Sequence, residues 1–324
     1  MSQDQTRTSG PSSPSRRIVL LGGLAAALGV SACGRTTVTG VAHSSATGEV
    51  PRVSETVPES TELTGDYSIV DPTTGTEIDV VVADGIRSIR ANGLPNHETG
   101  EFPNPGNPNS ISAQSYEFEL PVAGEVAAEP TPLLLPQPFG IAVNGVLFDP
   151  LAAEWYRGDR QSGWTVEAIS PTASLGLDDN HAHVQPTGAY HYHGMPTGLV
   201  GNLDPSAHSP LLGWAGDGFP VYARYGYTDP QDPESGISDL TPSYRLRSGT
   251  RSGGPGGRYD GTYTEDFEYV EGHGKLDLAN GRQGVTPEYP EGTYYYVLTE
   301  SFPFIPRHVV GTMADSFVVS GGPR

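Results

Sequence analysis

The chain has 324 residues, 42 of them Gly and 30 Pro, and 38 acidic residues against 18 basic ones give it a formal charge of −20. Such a charge repels phosphate backbones, so no nucleic acid is expected as a partner. The single cysteine excludes an internal disulfide framework and a Cys-rich zinc module, while 35% apolar residues suffice for a sizeable core.

Residues 1–32 read as an export signal. A polar, Ser/Pro-rich start leads to Arg16-Arg17 and an apolar run from Ile18 to Ala32, too short to span a bilayer comfortably. The arginine pair fits the twin-arginine route. The run closes on Val30-Ser31-Ala32-Cys33, which resembles the bacterial lipoprotein cleavage box. Cys33 is therefore the expected site of lipidation. The mature protein is expected outside the cytoplasm, held to the membrane by that lipid anchor. Residues 33–62 follow as a flexible tether of Thr, Ser, Gly, Val, Pro and Glu.

The body, residues 63–324, reads as mainly β: a single sandwich- or barrel-like domain with long loops. Ile78-Asp79-Val80-Val81-Val82 is β-branched, and residues 115–120 alternate with period two. Residues 139–148 read as two strands around Asn144-Gly145, a strong hairpin signal. Further strands are expected at 164–169, 219–222, 293–299 and 316–320. The best helix candidate, Pro150 to Tyr156, is about two turns long.

Five of the nine histidines fall together: His181, His183, His191, His193 and His208. Residues i and i+2 of a strand share a face, so each of the pairs 181/183 and 191/193 points one way. Pro186-Thr187-Gly188 fits a three-residue hairpin loop with Gly in the left-handed position. In that register His183 faces His191 and His181 faces His193, with Tyr190 and Tyr192 on the opposite face. A two-residue loop would instead set His183 opposite Tyr192. Clustered neutral imidazoles suit a transition metal ion, Zn or Cu, and resist protonation without one. His208 is a further candidate ligand. Asp179 and Asn180 precede the cluster and could orient it from behind. Asp217, in a Gly-Asp-Gly loop before a strand, is the candidate general base. No Gly-x-Ser-x-Gly elbow, phosphate loop, dinucleotide fingerprint or His-Glu-x-x-His motif occurs.

Tyr190-His191-Tyr192-His193 is the tetrapeptide that names the YHYH family, and the likeness extends well beyond it. Asn92 to His97, Asn107-Pro108-Asn109, Val143 to Pro150, Asn180 to Pro186, Asp217 to Tyr222 and Gly284 to Pro290 resemble successive segments of that family. The resemblance covers roughly residues 80–313. Many relatives have Asn where this chain has His181, which shifts weight to His183, His191 and His193 as ligands and raises His97 and His208. Relatives also carry cysteines where Ala279 and His308 stand, which implies the loss of one disulfide here. The family implies no reaction. Three functions fit the residues: a metal-dependent enzyme, a metal-binding or delivery protein, or a surface module whose aromatic residues take a small-molecule or glycan ligand.

Overall fold

Alternating apolar residues build the first sheet, and turn residues cut the rest of the chain into short strands. The computed structural model describes residues 62–319. Arg16, Arg17, Cys33 and nearly all of the expected tether lie outside the described residues. Strands β1 (Tyr67–Asp71), β2 (Thr76–Ala83), β3 (Ile86–Ala91) and β4 (Tyr116–Pro121) pair antiparallel in that order. Along β2 the burial alternates, so Thr76, Ile78 and Val80 face inward.

Shorter strands follow: β5 (Thr131–Pro132), β6 (Gly140–Ala142), β7 (Leu147–Phe148), β8 (Ala182–Val184), β9 (Tyr190–Tyr192), β10 (Leu211–Ala215) and β11 (Pro220–Tyr222). After them come β12 (Tyr225–Tyr227), β13 (Ile237–Asp239), β14 (Tyr244–Leu246), β15 (Phe267–Tyr269), β16 (Gly281–Gly284), β17 (Thr293–Val297) and β18 (His308–Val309). Eight of these form one sheet in the order β16-β17-β11-β10-β6-β7-β9-β8. Both outer strands of that sheet stay open, so no barrel closes among the described residues. Three two-stranded ribbons, β12-β13, β14-β15 and β18-β5, complete the β structure.

The large sheet is buried on both faces. Ile141, Trp214, Tyr222 and Tyr295 pack with Ile69, Ile78, Val80 and Leu120 of the small sheet, which makes the pair a sandwich. Tyr67 carries its hydroxyl across that interface to the Val143 carbonyl at 3.0 Å. The other face buries Ala142, Phe148, Tyr190, Tyr192, Val221 and Tyr296.

Three local expectations fail. Pro150 to Tyr156 is not a helix, because its backbone groups are spent on pairing with a later segment. Val166 N–H donates to Glu154 O at 2.8 Å and Tyr156 N–H to Trp164 O at 3.0 Å. The same pairing leaves 164–169 as isolated bridges rather than a strand. Residues 316–320 likewise give no strand among the described positions; Asp315–Phe317 is a turn of 3-10 helix.

Candidate metal centre

The hairpin β8-β9 follows the three-residue loop. Ala182 pairs with Tyr192, His183 with His191 and Val184 with Tyr190. Gln185 N–H donates to Ala189 O at 2.9 Å and Gly188 N–H to Gln185 O at 2.8 Å. Gly188 sits at φ +87°, and a Cβ there would come within 1.9 Å of Ser112 Oγ. The turn thus sets a register in which His183, His191 and His193 share one face.

Their Nε2 atoms converge. His193 Nε2 lies 3.0 Å from His191 Nε2 and 3.1 Å from His183 Nε2. The three make the one group of metal-ligand type among the described residues. Their tautomers follow from their outer bonds. His183 Nδ1 lies 2.8 Å from the Leu175 carbonyl, and His191 Nδ1 lies 3.1 Å from the Ala189 carbonyl. A carbonyl only accepts, so both Nδ1 atoms carry the proton and both Nε2 atoms present bare lone pairs. His193 Nε2 can give a proton to one of them, never to both, and its Nδ1 has no partner. At least one contact is therefore left with no proton aligned between its two nitrogens.

A shared proton is a poor remedy. Burial, then the charge of His183, pushes the His191 imidazole down to about 3. Burial together with His191 and His183 pushes His193 down as well, and burial lowers His183. A cation bonded through nitrogen resolves the deficit. Bonds of 2.0–2.1 Å in a tetrahedron set nitrogens about 3.3–3.4 Å apart, close to the spacing found.

The parallel neighbour β7 supplies the acid. Leu147 pairs with His191 and Phe148 with Tyr192, and Asp149 N–H donates to Tyr192 O at 2.8 Å. One step further along that register, Asp149 lies beside His193 on the imidazole face. Its side chain is 5% exposed, with Gln185 Nε2 donating to Oδ2 at 3.2 Å and Leu151 N–H to Oδ1 at 3.3 Å. Burial, only partly offset by the bond from Leu151, the Arg307 charge and the bond from Gln185, pushes this carboxyl up to about 7. Asp149 and the three imidazoles line one cavity of about 530 Å³. The sequence placed Asp149 only within the family-like segment Val143 to Pro150 and gave it no role at the site. No local signal could have placed it, since its approach depends on the pairing of β7 with β9.

The tyrosines of the signature hold the strand from behind. Tyr192 OH donates to His97 Nε2 at 2.7 Å and accepts from Asn144 Nδ2 at 2.9 Å. Tyr190 OH donates to Asp178 Oδ2 at 2.7 Å. Asp178 Oδ1 also accepts from Asn180 N–H at 2.9 Å, and Asn180 Nδ2 donates to Glu98 O at 3.0 Å. His97, Asn180, Tyr190 and Tyr192 thus form one network on the face away from the imidazoles. Asp179 is exposed, and its neighbour Asp178 fills the orienting position instead.

Three expected site residues go elsewhere. His181 O accepts the His193 N–H at 2.8 Å, in keeping with the register, but the φ of His181 is +53°. That left-handed backbone turns the ring aside, and its Nδ1 meets the Met195 carbonyl at 2.9 Å. His208 packs its ring edge-on to Tyr222, centroids 5.1 Å apart, with Nδ1 at 2.8 Å from Ser209 O. Asp217 is buried away from the cavity, accepting from Tyr296 OH at 2.5 Å and Gly311 N–H at 2.9 Å. It ties the loop after β10 to the C-terminal segment rather than serving the imidazoles.

A family model described as YHYH protein matches residues 117–311. The chain belongs to the YHYH family. No curated protein and no solved structure matches it. In this member the signature alternates two roles: Tyr190 and Tyr192 anchor the strand, and His191 and His193 face the cavity.

Proposed function

We propose that this YHYH protein is exported, held to the membrane through a lipid on Cys33, and is a metal-dependent enzyme. Its ion, zinc or copper, is bound by Nε2 of His183, His191 and His193. The observation that carries the metal is the convergence of three Nε2 atoms at 3.0–3.1 Å contacts with too few protons to pair them. Three histidines with an open position are a catalytic pattern for zinc. Such an ion acidifies a bound water or polarises a carbonyl.

The enzyme reading rests on burial. His191 and His193 are 3% and 2% exposed at the wall of the cavity, a poor place to hand an ion to another protein. Asp149 supports it further: a buried carboxyl poised near neutrality, steadied by Gln185, fits a proton acceptor on the substrate side.

The test is elemental mass spectrometry on the full chain, purified without an affinity tag or added metal, beside a His191→Ala, His193→Ala variant. About one equivalent of a single metal, lost in the variant, is expected. Wild-type protein that stays metal-free after dialysis against zinc and copper would overturn the reading.

A further inference from the structure

The cavity beside the imidazoles is chemically lopsided. Leu135, Pro138, Leu147, Leu151, Leu175 and Val319 line it, together with the carboxylates Asp149 and Glu154. Among the described residues neither Lys nor Arg lines it. A volume of about 530 Å³ lies within the usual range of small-molecule sites.

The mouth is apolar as well. Leu134 is 72% exposed and Val319 44% exposed. Lone exposed apolar residues are ordinary, but Val319 lines this apolar cavity and Leu134 adjoins its lining residue Leu135. Their segments are tied together. Gln137 Nε2 donates to Phe317 O at 2.9 Å, and Val319 N–H donates to Gln137 Oε1 at 3.1 Å. The apolar rim is therefore a built feature of two loops clasped by one glutamine.

We infer that the cavity takes a small molecule with one polar, metal-binding head, an apolar body and no second anionic group. The head meets the imidazole wall, and the body lies along the leucines and leaves over the Leu134–Val319 rim. A second anion on the body would be stripped of water among carboxylates, with no cation to receive it. This rests on the metal reading above, and it names the substrate class for the same site.

The test uses the full chain loaded with one equivalent of zinc and three hydroxamates, followed by titration calorimetry. Acetohydroxamate is the head alone, octanohydroxamate adds the apolar body, and suberic acid monohydroxamate ends that body in a carboxylate. Octanohydroxamate is expected to bind at least about tenfold more tightly than either of the others. Leu135→Asp should erase the gain of the chain while leaving acetohydroxamate binding in place. Glu154→Gln should narrow the penalty on the distal carboxylate. Equal affinities for the three hydroxamates would overturn the inference. If only copper binds, the same hydroxamates are titrated into the copper form; if neither zinc nor copper binds, the metal reading fails by itself. The cavity is then judged by ligand-observed NMR on metal-free protein with octanamide, acetamide and suberic acid monoamide. Preference for octanamide supports the inference, and its absence overturns it.

Discussion

The hydroxyl of Tyr192 meets Nε2 of His97 at 2.7 Å, while the residues on either side of Tyr192 send their imidazoles to the opposite face of the strand. Because His97 Nδ1 lies 2.9 Å from the Glu98 carbonyl, Nε2 must accept, and the tyrosine must donate. One phenol thereby fixes the pleat that aims His191 and His193.

Tyr192→Phe should therefore destabilise the protein by about 1–3 kcal/mol, because His97 Nε2 loses its donor and Asn144 loses one acceptor. Urea unfolding measures it. Zinc affinity should fall in the same variant although no ligand is changed; an unchanged affinity would show that the network does not position the imidazoles.

Gly188→Ala should cost about 2 kcal/mol or more and weaken metal binding with it. The residue sits at φ +87°, and the new Cβ would clash with Ser112 Oγ. Relief by a two-residue turn would flip His191 to the other face. Denaturant midpoint and zinc titration, read together, check this coupling.

Without metal, the buried imidazoles make stability fall in acid. The folded His191 titrates at about 3. An unfolded imidazole titrates at about 6.5. Its contribution is thus complete above pH 6.5 and is lost as pH falls toward 3. A loss of roughly 2–3 kcal/mol is expected between pH 6.5 and 4.5. His191→Asn should show a shallower decline in denaturant unfolding across that range.

Asp149 acts with the opposite sign. Its carboxyl is raised to about 7 in the fold. Unfolded, it titrates at about 3.9. Its contribution is present below pH 4 and is lost as pH rises through 7. Asp149→Asn should leave metal-free stability near pH 4 unchanged and raise it by about 2–4 kcal/mol at pH 7.5. In the metal-loaded protein the same change should abolish turnover while leaving metal content intact.

Zinc should raise the melting temperature of the wild-type chain and leave that of His191→Ala, His193→Ala unmoved, since only a native site rewards binding. Differential scanning calorimetry at several zinc concentrations checks it. An equal shift in the variant would mean that zinc binds elsewhere.

Much of the site was legible in the sequence because it is local. The alternation of Tyr and His along residues 190–193 fixes which side chains share a face. Pro186-Thr187-Gly188 fits a three-residue loop, and the structure selects that register over the two-residue alternative, pairing His183 with His191. The mainly β class follows from the same short-range signals. Where those signals were weak, as at residues 150–156, pairing with a distant segment overrode them.

What only the tertiary structure decided is which groups arrive from outside the hairpin. Period two placed His181 on the imidazole face, but a left-handed backbone at φ +53° removed it. Asp217 and His208 lie near the cluster in sequence, yet the sheet order carries them to the C-terminal segment and to the tyrosines of β11 and β17. Asp149 is 42 residues before His191 in the chain and reaches the site because β7 runs parallel beside β9. Side-chain direction within a strand is set by covalent geometry and can be read from spacing. Adjacency between strands is set by how the whole chain buries its apolar faces, which no local stretch contains.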